Sequence, residues 1–78
     1  MPLIDDFNGI KIYLYYSDHP PPHIHALYNE FEMQIVIESG KPMAGNLPTR
    51  QKKLVYKWLL ESSSFALTMF YVYNPKLR

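Results

Sequence analysis
The stretch "YSDHPPPHIHALY", residues 16–28, gathers all three histidines of the chain around three consecutive prolines, with Asp18 just ahead of them. Two kinds of chemistry suit these side chains. One is metal binding: His19, His23, His25 and Asp18 are candidate ligands for a divalent ion such as zinc or nickel, which takes about three nitrogen or oxygen donors at ~2.0–2.2 Å. The other is general acid–base catalysis, because imidazole titrates near neutrality and two of them can serve as base and acid in RNA cleavage. His23 and His25 are the candidate catalytic pair, with Lys11 or Arg50 to stabilise a phosphate.

Spacing discriminates among the histidines. On a strand, His23 and His25 share a face with Cα atoms about 6.5–7 Å apart, close enough to converge on one ion. His19 is harder to recruit. If the prolines run as polyproline II, it sits about 12 Å from His23 and about 120° out of phase. A triad then needs a bend, such as a cis peptide at His19–Pro20 or within the prolines. Otherwise the third ligand comes from Asp18, Glu32 or another chain. The structural alternative outweighs both chemistries. Three prolines make a rigid crossover, neutral imidazoles beside it can donate to carbonyls that would be orphaned there, and Asp18 can cap the turn. Catalysis also lacks a phosphate cradle, since the chain has three glycines and no glycine-rich loop.

These residues must be positioned by a sheet. "GIKIYLYY" alternates, with Ile10, Ile12, Leu14 and Tyr16 on one face. "HIHALY" predicts a second strand, with His23, His25 and Leu27 on one face and Ile24, Ala26 and Tyr28 on the other. "NE" at 29–30 reads as a tight turn before a third strand, "FEMQIVIE". "SG" at 39–40 signals a hairpin, and "KPMAG" can add an edge strand, where Pro42 is tolerated. The period then changes. Thr49 is a candidate N-cap, and Leu54, Val55, Trp58 and Leu59 form an apolar stripe over 49–61, with Arg50, Lys53 and Lys57 on the opposite side. The segment 65–73 fits either a helix face, through Phe65, Ala66, Met69, Phe70 and Tyr73, or a strand. As a helix it is apolar nearly all round, which points to a homo-oligomer through this aromatic segment.

The fold expected is therefore α+β: a three- to four-stranded antiparallel meander (about 1–46) packed on one or two C-terminal helices (47–78), within a single domain. Composition bounds the function. With no cysteine, thiolate sites and disulfides are excluded. A net charge of +1 and a pI near 8.0 are too mild to imply nucleic acid from bulk charge. Arg50, Lys53 and Lys57, with Tyr13 and Tyr15 as a stacking platform, are the candidate nucleic-acid contacts. A solvated helix side is the plainer reading of them, and core the plainer reading of Trp58. No basic leader and no apolar run of ~20 residues are present, so a cytoplasmic protein is expected.

Phe7, Gly9, Ile10, Asp18, His19, Pro21, Pro22, His23 and His25 resemble the opening pattern of the bacterial domain-of-unknown-function 4160 family. "IESGKPMAGNLP" is similar to its hairpin and Gly-x-Leu-Pro, and "LVYKWL" to its helix. The resemblance covers about residues 1–60, and Ser62 stands where the family commonly has a histidine. It implies a small bacterial protein paired with a small protein encoded beside it, in a toxin–antitoxin-like arrangement. The leading reading is an accessory protein acting through that partner, with His19, His23 and His25 as a conformational or ligand-binding corner. A histidine-dependent ribonuclease or metal-dependent toxin is the alternative, and a nucleic-acid-binding transcriptional regulator the third. All readings that use the imidazoles require His23 and His25 to open together onto one polar pocket.

Overall fold
The computed structural model describes residues 2–16 and 19–77. Five strands, β1 (Leu3–Phe7), β2 (Ile10–Tyr13), β3 (His23–Tyr28), β4 (Phe31–Val36) and β5 (Pro42–Gly45), form an antiparallel meander in the order β1-β2-β3-β4-β5. A helix, α1 (Thr49–Tyr73), follows and ends in a 3-10 turn, Pro75–Leu77. The α+β meander with a C-terminal helix is thus present, with five strands where three or four were expected. The added strand is β1. Asn8 and Gly9 supply the two positive φ values, 50° and 76°, of a two-residue hairpin that folds β1 onto β2. Lys11 on β2 pairs with Asp6 on β1 at 2.8 Å. The hydrogen bond to Asp6, then its charge, raise the ammonium above its usual pKa, although both partners are too exposed for this to add much stability.

Register fixes the faces, because residues paired directly across antiparallel strands lie on the same side. One row runs Ile12–Ala26–Met33 and its neighbour Ile24–Ile35. These side chains join Ile10, Leu14 and Ile37 in the core, against Val55, Trp58, Leu59, Ala66 and Phe70 of α1. Full burial of each large aliphatic contributes about 1.5–3 kcal/mol. The other row runs Tyr13–His25–Gln34, with His23 beside Val36. Gly45 closes β5 at φ 71°, and a Cβ there would be driven into the Glu32 carbonyl, so only glycine fits this close approach.

Three expectations are corrected. The strand expected over "GIKIYLYY" is β2 and ends at Tyr13, so Tyr16 is not on it. Thr49 does not cap α1: Pro48 holds the cap position, no side chain caps the end, and the Pro48 carbonyl accepts from the Lys52 N–H at 2.9 Å. Residues 65–73 are not a separate element but the second half of one 25-residue helix. That helix continues because Ala66 and Phe70 carry on the buried stripe begun by Val55 and Leu59. Trp58 is core, as expected; its ring stacks on Phe7, and its indole N–H donates to Asp5 on β1 at 2.6 Å.

The far end of α1 is fastened by Asn74. It is 3% exposed, and its amide donates to the carbonyls of Phe70 and of Tyr15, both at 3.0 Å. Asn74→Ala removes a donor from one buried and one part-buried carbonyl, so urea unfolding is expected to show a loss of about 1–3 kcal/mol. A change within experimental error would mean that the clasp holds nothing.

Candidate histidine corner
β3 begins at the first of the paired histidines, directly after the proline run, and alternation sends both imidazoles to the same side of the strand. The two rings lie 5.0 Å apart, tilted by 53°. The peptide bond between Pro20 and Pro21 is cis. His23 Nδ1 lies 2.7 Å from the Pro21 carbonyl oxygen. His25 Nδ1 lies 3.1 Å from Oε2 of Glu32, its diagonal neighbour across β3 and β4. Carbonyl and carboxylate oxygens accept, so each ring donates through Nδ1, which fixes both ring orientations.

The pair is covered. Tyr15 stacks on His25 with ring centroids 4.0 Å apart and planes 11° from parallel, and Phe70 of α1 approaches His23 at 6.2 Å. His23 is left 2% exposed and His25 4%. The shared pocket that the chemistry required is therefore closed. The imidazoles do come together, but as packed and hydrogen-bonded groups, and a substrate in bulk water does not reach them in this arrangement.

His19 sits apart from them in burial. It is exposed, as are Pro20 and Pro21, and Tyr16 beside the corner is 63% exposed with its ring edge-on to Tyr73. Asp18 lies outside the described residues. Among the described residues, no group of three or more His, Asp or Glu is gathered as a metal ion requires. His23, His25 and Glu32 together hold a hydrogen bond and a stack.

Arg50, Lys53 and Lys57 are all exposed along α1. The stacking platform imagined for nucleic acid is weakened, because His25 already covers one face of the Tyr15 ring. Open space occurs elsewhere. A cavity of about 320 Å³ lies between Ile37 and Gly40 and the helix residues Tyr56, Leu59, Leu60 and Ser63. Another of about 260 Å³ lies between Asp5 and Phe7 and the helix residues Leu54, Lys57, Trp58 and Glu61.

The burial of the pair gives a direct expectation for stability. His25→Ala removes both the stack on Tyr15 and the bond to Glu32, and is expected to cost about 2–4 kcal/mol in urea unfolding. His25→Phe keeps a ring against Tyr15 and should recover at least half of that loss. His19→Ala, at an exposed position, should change stability by no more than about 0.5 kcal/mol. Equal effects at positions 19 and 25 would contradict this assignment.

No curated protein matches the chain, and no solved structure does. A family match covers residues 9–71, described as a domain of unknown function. It runs past the helix tryptophan, through the segment 65–71 whose form the sequence left open. The chain belongs to the DUF4160 family.

Proposed function
We propose that this chain is a non-enzymatic accessory module that acts by binding a protein partner through the outer surface of its His-Pro corner. One contrast supports the reading: the imidazoles able to do chemistry are buried, while Tyr16, His19, Pro20 and Pro21 in the same stretch are exposed. An aromatic ring and prolines held in a fixed conformation lose little entropy on binding, which suits them to recognition by another protein. His23, His25 and Tyr15 serve as the footing of that surface. A small protein encoded beside this one, as the family resemblance leads one to expect, is the first candidate partner. A histidine-dependent nuclease is less well supported, since both imidazoles would have to emerge from their packing before each turnover.

Co-expression with the adjacent reading frame, the present chain carrying the affinity tag, tests the proposal. The neighbour should co-purify, and Tyr16→Ala with His19→Ala should weaken its retention by at least about tenfold, the effect of losing an interface anchor. A chain that purifies alone, or a complex that the double variant leaves intact, would refute it.

A further inference from the structure
We infer that the outer flank of α1 pairs antiparallel with the same flank of a second copy of this chain, about a two-fold axis passing between Ser63 and Ser64. The helix positions 56, 60, 63, 64, 67 and 71 share one side of α1 at helical spacing. Their identities are Tyr56, Leu60, Ser63, Ser64, Leu67 and Tyr71, which read identically in both directions from the midpoint. A two-fold interface needs a surface complementary to itself, and an antiparallel palindrome supplies one. Leu60 of each copy meets Leu67 of the other, Tyr56 meets Tyr71, and the serines at the centre allow the two backbones to approach closely.

This flank is also concave and incompletely buried. Leu60 is 87% exposed. The 320 Å³ cavity beside Tyr56, Leu60 and Ser63 shares Ser63 with one of about 230 Å³ beside Ser64 and Leu67. That cavity shares Leu67 with a third, of about 270 Å³, beside Tyr71 and Val72. Together they make a trough about 22 Å long at 1.5 Å per residue, four helical turns. The turn at 37–40, Glu38 included, walls its first part, leaving room for side chains from a helix lying alongside α1.

Charge bears on the direction of pairing rather than on the occupant, which the palindrome specifies. Arg50, Lys52, Lys53 and Lys57 occupy the first half of α1, whereas residues 64–73 carry no charge. These cations sit at the end of their own helix where the macrodipole is positive, and its first turn holds no acidic residue to offset them. Antiparallel pairing about this axis places Lys57 opposite Phe70 in the uncharged second half of the other copy, and Arg50, Lys52 and Lys53 opposite its residues 74–77, where Lys76 is the one cation. Parallel pairing would set the two basic halves against each other. The inference does not rest on the His-Pro corner, and a monomeric result would leave the partner reading standing.

Sedimentation equilibrium of the full chain tests it, together with cysteine variants, since the chain has no cysteine of its own. The parent should sediment as a dimer. Leu60→Glu should raise the dissociation constant by at least about 100-fold, because each dimer loses two buried leucines. Its helical circular dichroism should be unchanged, as Leu60 is exposed in the single chain. Ser63→Cys and Ser64→Cys should each form a disulfide-linked dimer under mild oxidation. Val72→Cys should not, since symmetry sets its two copies about 25 Å apart along the axis. A parent that is monomeric throughout, or Val72→Cys dimers forming as fast as those of Ser63→Cys, would overturn the inference.

Discussion
Tyr15 is the joint on which the arrangement depends. Its ring lies flat on His25, and its carbonyl accepts from the Asn74 amide at the end of α1. One residue therefore ties together β3, the exit of the chain from β2 and the far end of a 25-residue helix. Around it, each buried polar group is answered. His23 donates to the Pro21 carbonyl, His25 to Glu32, and Asn74 to two carbonyls. The balance matters because a buried donor or acceptor left without a partner costs more than a typical hydrogen bond contributes. The imidazoles are tolerated in the interior because their polar edges are used and their rings are stacked.

Beside this joint the proline run is anchored to β3 and to the end of β4. Proline fixes φ and removes donors, so the run 20–22 cannot be held through its own N–H groups. It is held through carbonyls instead: Pro21 accepts from His23, and Pro22 accepts from Ile37 beyond the end of β4. Tyr16, His19, Pro20 and Pro21 remain on the outside. At the other end of the sheet, Trp58 reaching Asp5 and stacking on Phe7 fastens β1 to α1 in a comparable way. Between these two fastenings α1 presents its charged and apolar outer flank.

Much of the sheet was legible in the sequence, because Ile10, Ile12 and Leu14, and then Met33, Ile35 and Ile37, alternate as a one-faced sheet must. β1 was missed although Asn8-Gly9 is a strong hairpin signal. "LIDDF" places Asp5 beside Ile12, where an apolar residue would be expected, and there its exposed carboxylate accepts from the Trp58 N–H, 53 residues away. The tail was ambiguous because its aromatics favour strands locally, while Ala66 and Phe70 repeat at helical spacing and tertiary burial decides between them. The pairing of His23 with His25 followed from alternation. Their burial did not, since it depends on Tyr15 folding back over the pair and on Phe70 arriving from α1. No local pattern encodes either event.

The account stands or falls on whether those two imidazoles are supports or reactive groups, and chemical accessibility separates the alternatives. Diethyl pyrocarbonate labelling of the native chain, read residue by residue by mass spectrometry, should modify His19 first. His23 and His25 should stay protected until urea unfolds the protein. Modification of either buried histidine at the rate of His19 under native conditions would show that the corner opens to solvent and that its histidines are not structural.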